Sequence, residues 1–352
     1  REFTQEIVDH LEAVLARNPE HVGANHYYIH AIEEHFPERG VAAADRLGTL
    51  AEDAGHLVHM PSHIYWRVGR YEDAAEINRR ASAADEQFFA WCRGGGAFYR
   101  TAYYPHNLHF LWAAAATEGQ RDLALMTARK LESIAEPNLA EAPMLQEMAV
   151  LPILTMTRFG LWDSILGEPI PAPDAIYLSG ISHYARGLAF IRTGQPELAR
   201  SARTDLARAA SDDRSKALIL AGGTSSAQAL LKVAIAHLDS EIAGGDGEVD
   251  EAVDFLRDAT TLHDALPYME PPPWYAPPRQ ALGALLLDLG KAKEAEAVYL
   301  ADLKKFPKNG WSLFGLSRAL EAKGDMARAE WAQKGFEQAW GRADVELTRS
   351  SF

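Results

Sequence analysis

The chain has one cysteine, Cys92, among its 352 residues. A single thiol excludes an internal disulfide and any metal site built from several cysteines. Because the absence of cysteine pairs is typical of a reducing compartment, we expect a cytoplasmic protein. The sequence starts at Arg1, inside a helical pattern and without an initiator methionine, so we expect further residues before it.

Long apolar runs and basic stripes are also missing. The longest apolar candidate, residues 281–289, is broken by Gly and Asp and is far shorter than the roughly 20 residues of a membrane-spanning helix. Lys and Arg number 35 against 49 Asp and Glu, which gives a net charge of −14. We therefore expect a soluble protein with neither a membrane nor a nucleic-acid partner. The acidic balance would also attract metal cations.

No motif of a common nucleotide-dependent or serine enzyme is present. The glycines at 94–96 lack the strand–turn–helix context of a phosphate loop or nucleophile elbow. Almost every segment shows helical periodicity, and no convincing strand pattern of period two occurs. The sequence therefore predicts an all-α fold.

Glycine marks the predicted turns between helices. Each of seven glycines follows one helical pattern and precedes another, as expected of a residue that ends a helix with positive φ. Two of the intervals between them are 34 residues, which is the length of a helix–turn–helix repeat. The seven turn glycines are Gly69, Gly119, Gly160, Gly194, Gly247, Gly290 and Gly324.

The turn at Gly69, Tyr71 and Ala74, together with the 34-residue spacing, resembles tetratricopeptide-repeat (TPR) proteins, in particular a histidine-rich bacterial branch. The resemblance implies a right-handed α-solenoid of about seven to eight helical pairs, whose first helices line a concave groove for a small-molecule or peptide ligand. We expect one solenoid domain over residues 1–352. An insertion near residues 85–104 and proline-rich links near residues 168–173 and 267–278 interrupt it.

Histidines recur on three of the predicted first helices. Residues four apart lie on one helix face, and the pair His26 and His30 is followed 33 residues later by His59 and His63. A third helix carries histidines thirteen and ten residues before Gly119, as His56 and His59 precede Gly69. Since equivalent repeat positions become neighbours, we expect one row of His26, His59 and His109, with His30 and His63 one turn further along.

Histidines four apart on a helix can bind one metal ion, as in zinc-binding helices. Nitrogen ligation suits zinc, copper, nickel and iron, and we rank zinc first on its general abundance, with copper or iron as alternatives. Because Pro61 disfavours a helical Met60, we expect a helix start at Pro61 and His56 in the preceding loop. The alternative is an inner layer of hydrogen-bonded structural histidines. The predicted metal ligands are His26, His30, His59, His63, His106 and His109.

Glu33, three residues after His30, is the predicted catalytic base for a metal-bound water. Alternatively, it is a solvated helix carboxylate. In the second proline-rich link, Arg279 is the predicted anchor for an anionic substrate. Further predicted substrate contacts are Tyr104, Glu270 and Trp274. The alternative for the link is a rigid junction with its tryptophan packed inside, and for Tyr104 a place in the core.

The insertion is rich in glycine and aromatic residues and lies beside the histidines in sequence. It is interpreted either as a lid or pocket wall, or as a connector that buries its aromatic rings. Taken together, the sequence predicts a metalloenzyme that uses metal-activated water or dioxygen on a small or peptidic substrate. The alternative function is a non-enzymatic TPR adaptor that binds a peptide in the groove.

Overall fold

The structure is a computed structural model that describes residues 2–92 and 97–352. The three glycines of the predicted insertion, at positions 94–96, lie outside the described residues. The chain divides into two compact units, the first formed by Arg1–Glu118 and Phe306–Lys308 and the second by Gly119–Lys305 and Asn309–Phe352. This division does not test whether residues 1–352 form one solenoid domain, so the single domain stays a prediction.

The first unit is built from helices and short connections. The helices are α1 Glu2–Arg17, α2 Val22–Ile32, α3 Pro37–Leu50, α4 Gly55–His59, α5 Pro61–Arg67, α6 Tyr71–Trp91, α7 Ala97–Thr101 and α8 Tyr103–Thr117. Helix α2 packs against α3, and α5 packs against α6. Helix α6 is also in contact with α4 and α8, so it supports both of those helices.

The second unit continues the series. Its helices are α9 Arg121–Ala135, α10 Gln146–Ala149, α11 Leu151–Arg158, α12 Trp162–Gly167, α13 Ile176–Arg192, α14 Pro196–Ser211, α15 Asp213–Ala217, α16 Ala227–Asp246, α17 Val249–Asp264, α18 Pro278–Asp288, α19 Ala292–Lys305, α20 Gly310–Ala322 and α21 Met326–Ala339. Strands β1 Ile219–Leu220 and β2 Ser225–Ser226 pair antiparallel, with Ile219 opposite Ser226. Two-residue strands have no readable alternation, and the sequence did not predict them.

All seven predicted turn glycines have positive φ, from 65° at Gly160 to 84° at Gly247. In six of these turns the amide after the glycine bonds to the carbonyl five residues earlier, as from Arg70 N to Tyr65 O at 2.8 Å. This is the Schellman termination, which requires a left-handed residue and therefore favours glycine. The predicted helix-pair turns are confirmed.

Within the two units, consecutive helices pack against each other, and the pairs joined by a turn include α2–α3, α5–α6, α11–α12, α13–α14, α16–α17, α18–α19 and α20–α21. This confirms the predicted all-α, TPR-like fold. Residues 168–175 and 265–277, where the sequence places the two proline-rich links, contain neither helix nor strand. Every helix of the described residues is too short or too polar to cross a lipid bilayer.

The insertion near residues 85–104 is more helical than the sequence predicted. Helix α6 extends through its first part to Trp91, and α7 and the start of α8 occupy its end. The long helix forms because residues 71–91 contain neither proline nor glycine. The departure from the repeat period therefore arises from a longer second helix and one additional short helix.

Close helix contacts depend on small residues at a few positions. In the second unit the buried ring of Tyr299 lies against both Gly283 and Gly315, where an added Cβ would come within 2.4 and 2.1 Å of the Tyr299 Cζ atom. In the first unit the side chain of Ile64 packs against Gly40, and this contact sets the position of α3 along its axis relative to α5. These contacts set the relative positions of neighbouring helices.

Candidate metal centre

Six histidines of the first unit gather in two groups of three. The outer trio is His26, His30 and His56, and the inner trio is His59, His63 and His106. In each trio one nitrogen atom from every ring lies within 4.8 Å of the other two. Helices α2, α4, α5 and α8 supply these side chains.

Helices α4 and α5 follow each other with almost no break. Met60 between them has φ −49° and ψ −39°, which is right-handed helical. The prediction that His56 lies in a loop before the helix is therefore wrong. Pro61 occupies the first position of α5, where a missing N–H and a fixed φ are compatible with a helix. His56 consequently shares a helical surface with His59.

The predicted row of histidines is wrong in register by about one turn. The ring centroid of His56, not of His59, lies 5.1 Å from that of His26. Likewise His106, not His109, lies 4.8 Å from His59. The number of residues between a histidine and the turn glycine does not fix the axial register between neighbouring helices. Side-chain packing, such as that of Ile64 on Gly40, sets that register.

His109 does not join either trio. It is 4% exposed, and its ring lies 5.8 Å from that of Trp112 on the same helix. Of the six predicted ligands, the structure therefore brings five together and adds His56, which ranked lower in the sequence analysis.

Hydrogen bonds to the Nδ1 atom of His59 hold the inner trio in place. His59 Nδ1 lies 2.6 Å from Asn78 Oδ1, and Ser62 Oγ lies 3.2 Å from the same nitrogen. Asn78 Nδ2 donates to the carbonyl oxygen of Ala74 at 2.7 Å, which directs its Oδ1 towards the ring. An amide oxygen only accepts, so the proton of neutral His59 belongs on Nδ1. Its Nε2 then presents a lone pair.

That lone pair faces a second imidazole nitrogen. His59 Nε2 and His63 Nε2 are 3.0 Å apart. Two nitrogen ligands of a tetrahedral zinc ion are about 3.3–3.4 Å apart, given bonds of about 2.0–2.1 Å. The ring of Phe110 packs against both histidines, with centroids 4.9 and 4.8 Å away, and keeps this side of the trio apolar. At 3.0 Å the pair is at hydrogen-bond distance, and a separation larger by about 0.3–0.4 Å would suit two ligands of one ion.

Glu33 lies between the trios. Its Oε1 is 3.5 Å from His30 Nδ1, and its Oε2 is 3.2 Å from His63 Nδ1. The second contact is an ion pair only when His63 is protonated, and it does not have hydrogen-bond geometry, since Oε2 has no hydrogen-bond partner among the described residues. A carboxylate behind a histidine favours the proton on the near nitrogen and frees the far one for a metal. Glu33 can act in this way on one histidine of each trio.

The outer trio is more open than the inner one. His30 is exposed, whereas His26 and His56 are half-buried. Two buried nitrogens, His26 Nε2 and His56 Nδ1, have no hydrogen-bond partner among the described residues. Tyr27 stacks on His26 at 4.8 Å, and Tyr103 meets His56 edge-on at 4.9 Å. Unsatisfied buried nitrogens in an aromatic setting suit a ligand that accepts their lone pairs.

Burial favours the neutral form of His56, His59, His63 and His106 by lowering their pKa values. It lowers the pKa of His56 to about 4, with neighbouring histidines adding to the shift. Burial also lowers the pKa of His63 to about 4, although the carboxylate of Glu33 opposes this. The pKa values of His59 and His106 fall well below the ordinary value for the same reason. Neutral imidazole is the form that binds a metal.

Asp85 joins the predicted insertion to the site. It is 2% exposed and accepts hydrogen bonds from Tyr99 Oη and Asn107 Nδ2, each at 2.8 Å. Burial raises its pKa, which these two bonds oppose. Its carboxylate also lies against Gly55 at the start of α4, where an added Cβ would be 1.9 Å from Oδ1. One carboxylate thus connects α6 with the elements that carry His56 and His106.

The predicted substrate contacts occupy packed or paired positions. Tyr104 is buried in α8, and its hydroxyl donates to Glu86 Oε1 at 2.8 Å. In the second unit, Trp274 is 3% exposed in the core and donates to Ala276 O at 3.0 Å. This position agrees with the alternative of a rigid junction.

Glu270 in the second proline-rich link and Arg279 at the start of α18 also have partners. Arg279 is held by both oxygens of Asp264, with the Nη1–Oδ1 distance 2.7 Å. Buried Glu270 accepts from Tyr268 at 2.5 Å. Substrate contact by Arg279 and Glu270 stays a prediction.

Asn78 is the functional residue that the sequence analysis missed. It is fully buried in α6, between Ala74, Ala75 and Ala81. A polar amide in an otherwise apolar stripe of a helix is costly unless it is bonded. In the sequence, the signal for this residue is a single polar amide that interrupts the apolar stripe of the helix.

No protein-family model matches the chain, and no curated protein matches it. Solved structures with similar helical arrangements include an assembly chaperone of RpL4 (Acl4), 15% identical, with 93% of this chain and 99% of that chain covered and a TM-score of 0.25. The Cut9–Hcn1 hetero-tetramer of the APC/C is 12% identical, covering 90% and 62%, with a TM-score of 0.26. The TPR domain of P58(IPK) is 14% identical, covering 94% and 91%, with a TM-score of 0.24.

Proposed function

We propose that this protein is a TPR-like binding protein whose first unit holds a transition-metal ion. The inner trio is the primary site, and zinc is the first choice, with copper or iron as alternatives. The observation that carries the proposal is the 3.0 Å approach of His59 Nε2 to His63 Nε2, with Asn78 directing the His59 proton away from it. A cation held by both nitrogens would take the place of the hydrogen bond between them.

The outer trio supports a second ion. Its nitrogens meet the same distance limit as those of the inner trio, and two of them are buried without a partner. A layer of purely structural, hydrogen-bonded histidines accounts for the bonds of His59 to Asn78 and Ser62. It leaves His26 Nε2 and His56 Nδ1 unexplained.

For the wider function, the TPR-like fold supports the adaptor alternative better than the metalloenzyme that the sequence analysis placed first. Helical repeats present an extended surface on which a protein or peptide can bind. In this proposal the metal orders the helices of the first unit or completes the binding surface. The peptide or small-molecule ligand is itself part of the proposal.

Metalloenzyme chemistry is the second candidate, and one observation favours it. The outer trio is partly open to solvent, and Glu33 lies 3.5 Å from His30 Nδ1, where a carboxylate can take a proton from a nearby water. A metal there would supply Lewis acidity to that water. The enzyme needs an open coordination position, whereas a structural site is filled by protein ligands.

The experiment that tests metal binding is elemental analysis of protein purified without a histidine tag or chelator. We expect about one or two transition-metal ions per chain, as the two trios allow. The variant His183→Ala, in α13 of the second unit, should keep that content. Metal content near zero, unchanged after reconstitution with zinc, copper or iron, would exclude the proposal.

A further inference from the structure

Residues 341–352 follow α21, and we call this segment the tail. It contains neither helix nor strand and belongs to the second unit. From Asp344 to Arg349, exposed and half-buried residues alternate one by one. Such alternation is typical of an extended backbone with one side on a surface, because successive side chains point to opposite sides. The tail therefore lies on the helices as an extended peptide would.

Asp344 fixes the start of the tail to α9. Its two carboxylate oxygens accept hydrogen bonds from the backbone N–H groups of Arg121 and Asp122, at 2.8 and 2.9 Å. These N–H groups lie at a helix start and have no partner within the helix. The N–H of Asp344 donates to Gly119 O at 3.2 Å. Asp344 therefore keeps the residues that follow it close to the second unit.

Two residues of the tail contact α18 and α19 through their side chains. Arg349 Nη2 lies 2.7 Å from Asp288 Oδ2, in an ion pair that is partly open to solvent. Ser350 is 1% exposed, and its Oγ donates to Gln280 O at 2.9 Å. The same Oγ accepts a hydrogen bond from the buried hydroxyl of Tyr299 at 2.6 Å. An arginine and a small hydroxyl residue are thus recognised side by side.

Phe352 contacts three further helices of the second unit. Its ring meets that of Trp311 in α20 edge-on, with centroids 5.9 Å apart. It also lies against Gly160 in the turn after α11, where an added Cβ would be 3.1 Å from the Phe352 Cβ atom. Arg192 Nη2, at the end of α13, donates to Phe352 O at 3.3 Å. Since α11, α13, α18 and α20 are first helices of their pairs, the tail lies on the helices that a repeat protein uses for binding.

The tail does not fill the surface that it covers. A cavity of about 270 Å³ remains between α13, α16, α17 and α18, and Arg349 and Ser351 contribute to its wall. Arg349 Nε is buried and has no hydrogen-bond partner among the described residues. Voids and unpaired buried donors are both unfavourable in a packed interface. A segment that fits this surface better can therefore displace the tail.

We propose that these first helices bind an extended segment of a partner protein, and that the tail is an internal ligand which the partner displaces. The partner segment has the chemistry of residues 349–352. It supplies an arginine to Asp288, a small hydroxyl residue to Gln280 O and, two positions later, an aromatic ring to Trp311. The inference rests on the proposed binding role of the helical repeats and does not depend on the metal site.

Fluorescence anisotropy with a labelled peptide of residues 345–352, amidated at its last residue, tests the proposal on the full chain. A tethered internal ligand competes at an effective concentration in the millimolar range, so we expect the wild-type chain to bind the peptide weakly. Phe352→Ala in the chain weakens this competitor and should raise peptide affinity by about tenfold. The same substitution in the peptide should lower its affinity by about tenfold.

Arg349→Ala should give the same opposite changes at about two- to fivefold, because the ion pair is partly exposed. Thr348→Ala is the matched control, since this tail residue is exposed, and it should change affinity in neither the chain nor the peptide. A substitution that strengthens binding in the chain and weakens it in the peptide supports an internal ligand. A tail that only stabilises the fold would instead give variants with a lower melting temperature and no gain in peptide binding.

That second result would overturn the proposal, as would a wild-type dimer that exchanges tails between its two chains. Hydrogen exchange on the wild-type chain gives a test that needs no variant. A saturating amount of peptide should speed the exchange of the tail amides, and unchanged exchange would also count against the proposal. Equally tight peptide binding to the wild type and both variants would place the peptide elsewhere, so the binding role would stand and this inference would fail. Metal content of the same samples reports separately on the first unit.

Discussion

His59 Nε2 lies 3.0 Å from His63 Nε2, and Asn78 fixes which of the two His59 nitrogens carries the proton. A polar amide on α6 therefore decides the chemical character of a ring on α4. The two buried rings meet at hydrogen-bond distance through the nitrogens that are proposed to hold the metal. This relationship gives the most direct tests of the proposed metal centre.

The first prediction compares two histidines of one helix. His106→Ala removes a nitrogen of the inner trio and should lower metal affinity by more than about 100-fold, since even outer partners of metal ligands contribute about 10–100-fold. His109→Ala, three residues further along α8, should leave metal affinity unchanged. Competition with a fluorescent chelator measures both. Equal losses that follow a fall in melting temperature would favour structural histidines.

The second prediction concerns the number of ions. His26→Ala should reduce a two-ion stoichiometry to one and leave the tighter ion in place, because His26 belongs only to the outer trio. Titration of metal-free protein with cobalt, followed by visible absorption, resolves the two steps. His10→Ala on α1, which is exposed, is the control. Loss of both ions from His26→Ala would show that the trios are not separate sites.

The third prediction tests Glu33. Glu33→Gln keeps the shape of the side chain and removes the charge near His30 and His63, and we expect metal affinity to fall by about 10–100-fold. Glu34→Gln, on a half-exposed neighbouring side chain, should change nothing. Unchanged affinity with loss of a measured turnover would instead assign Glu33 as a catalytic base. Added azide that perturbs the cobalt spectrum would indicate an open coordination position.

The fourth prediction is a pH dependence of the metal-free protein. Folding lowers the pKa of His56 and His63 to about 4 from about 6.5, so at pH 5 the unfolded chain binds protons that the native chain does not. The contribution of these residues to stability is complete above about pH 6.5 and falls as the pH drops towards 4. Urea unfolding at several pH values measures it. The double variant His56→Gln/His63→Gln should show a shallower pH dependence, and His10→Gln the wild-type one.

The fifth prediction concerns the second unit. Gly315→Ala places a methyl group 2.1 Å from the Tyr299 Cζ atom, and the buried ring cannot move away freely. We expect a loss of about 1–3 kcal/mol in the free energy of unfolding from overpacking. Gly167→Ala, where nothing lies within 4 Å of the new methyl group, is the matched control. A stable Gly315→Ala protein would mean that Tyr299 has an alternative position.

The sequence predicted the helix pairs well because their signal is local. Gly69 and the six other turn glycines adopt positive φ, a conformation that depends on one residue and its immediate neighbours. The two-residue strands at Ile219 and Ser225 were not predictable, since no alternating pattern exists at that length.

The site was predicted less completely, because register between helices is a property of packing. The histidine pairs were recognised from their spacing, but their neighbours in space were misplaced by one turn. The axial position of each helix relative to its neighbour depends on contacts such as that of Ile64 with Gly40. The spacing of the histidines does not encode these contacts. The assumption about Pro61 failed because its effect on Met60 is a statistical preference, which the continuous packing of α4 and α5 outweighs.

Asp85 has a consequence for how this protein can be shortened or redesigned. The residues near 85–104 interrupt the repeat period, and an engineer regularising the array would delete them first. That deletion would remove the carboxylate that accepts from Asn107 and abuts Gly55. The described part of this segment therefore supports the elements that carry the histidines. A consensus repeat in its place would keep the helical fold and lose the side chains that position the site.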